Sequence, residues 1–91
     1  MSNIEYTEVT YAGAFIEWLF EQLNKHQITY EDVDTEADYY EIEIGFQTFY
    51  FDWKHLDSDE IEMINPVLEE DGYKIIHNKT ELGYRVAFVS V

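Results

Sequence analysis

The chain has 91 residues, and its 20 Asp and Glu residues against 5 Lys and Arg give a net charge of −15 at pH 7. Such a charge excess is typical of disordered chains, but 46% of the residues are hydrophobic and 18% are aromatic, so there is a core to bury. The sequence contains no cysteine, which excludes disulfides and thiolate metal sites, and the acidity disfavours direct binding to nucleic acid or anionic lipid.

The first predicted elements lie in the N-terminal third. Residues 4–9 are β-rich and predict a short strand or an ordered arm. A helix is predicted over residues 11–26, because Phe15, Leu19 and Leu23 recur at every fourth position and form one apolar stripe.

The N-terminus has no basic segment followed by an apolar run, and no apolar stretch nears the roughly 20 residues that span a bilayer. We therefore expect a cytoplasmic protein.

The middle of the chain predicts a loop followed by a hairpin. Residues 31–38 are too acidic to pack and predict a loop. Residues 39–46 and 49–53 then alternate between apolar and polar side chains, which indicates two half-buried strands, joined around Gln47 and Thr48 as an antiparallel hairpin. The apolar side of the first strand comprises Tyr40, Ile42, Ile44 and Phe46.

A second helix is predicted to begin at Asp57, with Glu60 three residues later completing a capping box. Pro66 either breaks or kinks this helix, or else follows Asn65 as the first residue of a new one. Beyond it, residues 73–77 and 84–91 are β-rich.

These elements predict a single α+β domain over residues 1–91 in the order αββαββ. We expect one four-stranded, mainly antiparallel sheet with both helices packed on one face. The expected core residues come from every element of this order. They are Phe15, Leu19, Leu23, Ile42, Ile44, Phe51, Ile64, Leu68, Ile75, Val86 and Phe88.

Signatures of catalysis and of cofactor binding are absent from the sequence. The four glycines are isolated, the serines lie in no nucleophile-elbow context, and the three histidines are scattered. One calcium-loop pattern places Asp32, Asp34, Glu36, Asp38 and Glu43 at offsets 1, 3, 5, 7 and 12. Ala37 stands where that loop needs Gly, and no helix follows. We therefore predict no enzyme, no cofactor and no metal, and keep a calcium-binding module as an alternative.

The acidic surface is the strongest functional signal. Residues 26–53 contain no Lys or Arg. Alternate residues of a strand share one face, so acids at alternate positions present a row of carboxylates. The predicted partner-binding residues are Glu31, Asp32, Asp34, Glu36, Asp38, Tyr39, Glu41 and Glu43, with a second cluster at Asp57, Asp59 and Glu60. The simpler interpretation is a solvated face that confers solubility.

In size, charge and lack of catalytic motifs, the chain resembles the small acidic inhibitors that phages and mobile elements encode. Anti-CRISPR proteins, anti-restriction proteins and inhibitors of uracil-DNA glycosylase are examples. The resemblance implies a DNA mimic that binds the basic nucleic-acid-binding surface of a host defence protein such as a CRISPR effector. A small assembly protein, dimeric through a sheet edge, is the other alternative.

Overall fold

The computed structural model describes residues 4–36 and 39–91, apart from the side chains of residues 34–36. The described residues form two helices and six strands in the order βαβββαββ. In chain order they are β1 (Thr7–Val9), α1 (Ala12–Lys25), β2 (Tyr30–Glu36), β3 (Tyr39–Ile44), β4 (Gln47–Asp52), α2 (Ser58–Glu69), β5 (Tyr73–Lys79) and β6 (Tyr84–Ser90). Neither helix has the length and apolar character needed to cross a membrane, as far as the described residues extend.

The strands form two separate antiparallel sheets, so the prediction of one four-stranded sheet in the order αββαββ is wrong. One sheet has the order β1-β6-β5 and the other β2-β3-β4. Each predicted hairpin gains a third strand at one edge instead of pairing with the other hairpin. Pairing between distant hairpins is a non-local choice, and alternation within a strand does not encode it.

Strand β2 overturns the prediction of a loop for residues 31–36, and residues 37 and 38 of that prediction lie outside the described residues. Tyr30, at its start, stacks on Phe20 of α1 with ring centroids 4.7 Å apart. The strand pairs with β3 from Tyr30 opposite Ile44 onwards, so its backbone is hydrogen-bonded along one side. Pairing and packing on one face outweigh the low strand propensity of acidic residues, whose propensities depend strongly on context.

The hairpin between β3 and β4 turns at Gly45 and Phe46, two residues before the predicted junction. Both have positive φ, at 55° and 68°, as a two-residue type I′ turn requires. Ile44 pairs with Gln47 across this turn. The prediction that Phe46 lies on the apolar side of the strand is wrong, because its side chain is fully exposed.

Helix α1 packs against both sheets, which replaces the predicted arrangement of two helices on one sheet face. Phe15 contacts Phe51 of β4 at a centroid distance of 5.7 Å, and Trp18 contacts Phe88 of β6 at 6.2 Å. One continuous cluster of buried side chains joins both sheets and both helices. All eleven expected core residues belong to this cluster or pack against it, and Phe88 is the one that is only partly buried.

Helix α2 begins as predicted and runs through Pro66 without interruption. The Glu60 carboxylate accepts a hydrogen bond from the Asp57 N–H at 3.2 Å, which is one half of the predicted capping box. Asn65 starts no new helix. Its side chain is buried and bonds to the backbone of Ile75, which fixes α2 against β5.

Candidate partner-binding surface

The β2-β3-β4 sheet has one buried face and one face open to solvent. Ile42, Ile44, Phe49 and Phe51 line the buried face. The register places alternate residues on the other side, in three rows across the strands. We call these residues the acidic sheet face: Glu31, Val33, Tyr39, Glu41, Glu43, Thr48, Tyr50 and Asp52.

Carboxylates on the acidic sheet face are close neighbours. Glu31 of β2 lies directly opposite Glu43 of β3, and such partners have Cβ atoms about 4.5–5.5 Å apart. Glu41 and Glu43 are alternate residues of one strand, about 6.5–7 Å apart. No Lys or Arg occurs between residues 26 and 53 to offset these charges. The face therefore carries a concentrated negative potential.

Ion pairs do little to neutralise the chain. Among the described side chains, the one ion pair joins His77 Nε2 to Glu62 Oε1 at 2.8 Å, on α2 and β5. It involves no residue of the acidic sheet face. Within the described parts of the structure, the carboxylates of Glu31, Glu41 and Glu43 are in no ion pair.

Asp52 differs from the other acids of the face because it has a local structural role. Its Oδ1 accepts hydrogen bonds from the backbone N–H groups of Lys54 at 2.8 Å and His55 at 3.4 Å. The hydrogen bond from Lys54 is the main reason that the pKa of Asp52 is lowered. Asp52 thus stabilises the turn after β4.

Two tyrosines accompany the acids of the face. Tyr39 is 51% exposed and Tyr50 is 59% exposed, and Tyr50 lies opposite Glu41. Many of the other aromatic rings lie in the core or pack against it, as where Tyr40 stacks on Trp53 at 5.3 Å. The high aromatic content therefore mostly serves the core, and the exposed tyrosines supply rigid contact area beside the charges.

The structure brings together four of the predicted site residues, since Glu31, Tyr39, Glu41 and Glu43 share the acidic sheet face. Asp32 is exposed but lies on the opposite side of β2, in line with Ile42. Residues 34 and 36 belong to the β2 backbone, and the prediction at Asp38 lies outside the described residues.

The second predicted cluster lies at the N-terminus of α2, where acids favour the helix by themselves. Asp57 is the N-cap, Asp59 lies in the first turn, and Glu60 forms the capping box. Burial is the main cause that raises the pKa of Glu60, and the charges of Asp57 and Asp52 raise it further. Helix capping gives Asp57 and Glu60 a role that needs no partner.

The calcium-loop pattern does not fold as a loop. Positions 32, 34 and 36 lie on β2 and Glu43 lies on β3, whereas Asp38 lies outside the described residues. Asp32 and Glu43 project from opposite faces of the sheet. In the part of the chain that the structure describes, no group of three or more His, Asp or Glu side chains could hold a metal ion. Two ligands that the pattern requires are therefore kept apart by the pleat of the sheet.

Sequence reasoning missed the position of Phe46, which it placed on the apolar side of the strand. Gly45 was the available signal, because a glycine inside an alternating run often marks a turn. No protein-family model, curated protein or solved structure matches the chain. The functional inference therefore depends on the geometry and charge of the surface.

Proposed function

We propose that the acidic sheet face binds the basic nucleic-acid-binding surface of another protein and blocks it as a DNA mimic. The observation that supports this proposal is the arrangement of Glu31, Glu41 and Glu43 in neighbouring positions on an open sheet face without any cation. Rows of fixed carboxylates can be bound by the Lys and Arg side chains that otherwise bind phosphates.

Solubility alone explains only part of this face. Charges on an edge strand such as β2 prevent strands of other molecules from adding to the sheet. Glu41 and Glu43, however, lie on β3, which has neighbours on both sides. Placing Glu43 opposite Glu31 lowers the stability of the sheet, and Thr or Gln would serve solubility without that repulsion. A partner that needs these charges gives a reason for their position.

The target class follows from the resemblance to phage-encoded inhibitors together with the charge. A test uses purified members of three target classes: a CRISPR effector nuclease, a restriction endonuclease and a uracil-DNA glycosylase. Each is bound to a fluorescent DNA duplex, and the protein is added while DNA release is followed by anisotropy. We expect release from at least one target, and weaker binding as salt is raised. A target that binds this protein and DNA together would contradict mimicry.

A further inference from the structure

The tip of the β3–β4 hairpin carries an aromatic ring that neither the core nor the turn requires. Phe46 is fully exposed, the most exposed of the large hydrophobic side chains described. Its φ of 68° lies in the left-handed region, which Asn and Gly tolerate and which strains a bulky residue. Gly45 holds the turn against α2, since a Cβ atom there would lie 3.0 Å from Cγ1 of Val67. The backbone of the turn therefore lies close to α2, while the Phe46 ring is exposed to solvent.

A groove of about 460 Å³ lies beside this ring. Its walls come from three segments that are distant in sequence: the link between α1 and β2, the hairpin tip, and the turn after α2. Glu31, Glu43 and Asp71 contribute three carboxylates to these walls, and Phe46 contributes the aromatic surface. We call this site the tip groove.

Segments that lie just beyond both helices line the tip groove. Residues 27–29 follow the last residue of α1, and Asp71 lies just beyond the last residue of α2. The C-terminal end of a helix carries a partial negative charge, which favours a cation nearby. The last turn of α2 has no basic residue, so this helix end and the three carboxylates both favour a cation, whereas α1 carries Lys25 in its last turn.

The spacing of the carboxylates favours an organic cation over a metal ion. The described carboxylates do not come together in a group of three that could hold a metal. A guanidinium group suits the tip groove better, because it is planar, reaches several acceptors at once and stacks on an aromatic ring.

We propose that the tip groove receives an arginine side chain of the basic partner, which stacks on Phe46 between the carboxylates of Glu31, Glu43 and Asp71. This inference rests on the proposed function, since it names how that partner is held. A second copy of the chain is a poor occupant. Its one arginine, Arg85, lies 4.9 Å from the ring of Tyr6, and two copies with a charge of −15 each repel one another.

The test uses Phe46→Asn, which removes the ring and places a residue that the left-handed turn favours. Because Asn relieves the backbone strain, we expect a melting temperature equal to or above that of the parent. Phe46→Trp keeps an aromatic ring and serves as the matched control. Hexa-arginine and hexa-lysine peptides are the probes, measured by calorimetry and by NMR shifts of the Gly45, Phe46 and Asp71 amides.

The parent should bind hexa-arginine about threefold to tenfold more tightly than hexa-lysine, with NMR shifts concentrated at the tip groove. Phe46→Asn should lose this preference, and Phe46→Trp should keep it. Equal peptide binding by the parent and Phe46→Asn, or shifts spread evenly over all acidic surfaces, would overturn the arginine site. A membrane partner would instead appear as binding of the parent to zwitterionic vesicles, and that result would also overturn it.

The DNA-displacement assay separates this inference from the proposed function. If the parent and Phe46→Asn release DNA equally well, the arginine site is wrong and the acidic sheet face remains the contact. If the parent selects arginine at the tip groove but releases DNA from no target, mimicry is wrong and the groove remains an arginine site.

Discussion

The side-chain amide of Asn65 forms two hydrogen bonds with the backbone of Ile75. Its Nδ2 donates to the Ile75 carbonyl at 3.0 Å, and its Oδ1 accepts from the Ile75 N–H at 2.8 Å. Strand β5 is at the edge of its sheet, so these backbone groups face α2 instead of another strand. Asn65 is the one polar residue among those classed as buried. It provides hydrogen-bond partners for the backbone of the edge strand β5 and fixes the β1-β6-β5 sheet against α2.

Asn65→Leu should lower the free energy of unfolding by about 1–3 kcal/mol, because it leaves the buried N–H and carbonyl of Ile75 without partners. Chemical denaturation measures this loss. Asn24→Leu, at an exposed position of α1, is the matched control and should change stability little. Similar stabilities of the two variants would mean that the hydrogen bonds of Asn65 do not hold α2 on β5.

Leu19→Ala should cost about 2–5 kcal/mol in unfolding free energy, since Leu19 is fully buried in the cluster that joins the two sheets. Leu82→Ala removes the same atoms from a side chain that is 79% exposed and should change stability by less than about 0.5 kcal/mol. Thermal and urea unfolding of both variants checks this difference. Equal effects would contradict the observed core.

Glu60 makes stability depend on pH. Its folded-state pKa is raised, mainly by burial, so the protonated form of Glu60 favours the folded protein. This stabilising contribution is fully present below the unfolded-state pKa and is lost as pH rises through the folded-state pKa. Asp52 has a lowered pKa and acts oppositely, losing its contribution as pH falls. Glu60→Gln should therefore raise stability at pH 7 by about 0.5 kcal/mol or less, given solvent screening. The gain should vanish in acid, and a gain that persisted there would have another cause.

The pair Glu31 and Glu43 should repel one another measurably. Replacing either residue by Gln should stabilise the sheet, and a double-mutant cycle should give a repulsive coupling of about 0.2–1 kcal/mol. High salt should reduce the coupling, because it screens exposed charges. A coupling of zero at low salt would show that the two carboxylates do not face each other as the register places them.

The sequence allowed the helices, the hairpin and the core to be predicted, because these depend on local periodicity and on side-chain size. Strand β2 could not be predicted in the same way. Tyr30 packs on Phe20 and β2 pairs with β3, and such contacts between different elements favour a strand in an acidic segment. The division into two sheets could not be predicted for the same reason, because β1 pairs with β6, a strand that is distant in sequence.

The negative charge of the candidate site could be predicted from the sequence, but the arrangement of its residues could be predicted only in part. Alternation along β3 placed Glu41 and Glu43 together, and the structure bears this out. The addition of Glu31 to the same face depends on the register of β2, which a loop prediction cannot supply. Phe46 was assigned to the wrong environment because the turn at Gly45 ends the strand at Ile44, two residues earlier than the alternation implied.

Association kinetics of a charge-neutralised variant test the proposed function most directly. The variant Glu31→Gln, Glu41→Gln and Glu43→Gln removes three charges from the acidic sheet face. The control Glu17→Gln, Glu21→Gln and Glu81→Gln removes three exposed charges from α1 and the β5–β6 loop. Both have the same net charge, so any difference between them reports position on the surface and not total charge.

The target is the protein from which the parent displaces DNA, and surface plasmon resonance at several salt concentrations gives the rates. The sheet-face variant should associate at least about tenfold more slowly at low salt and show a weaker salt dependence, because removing these charges reduces electrostatic steering. The control should bind nearly as fast as the parent. Equal association rates for the two variants would contradict the assignment of the acidic sheet face as the binding surface.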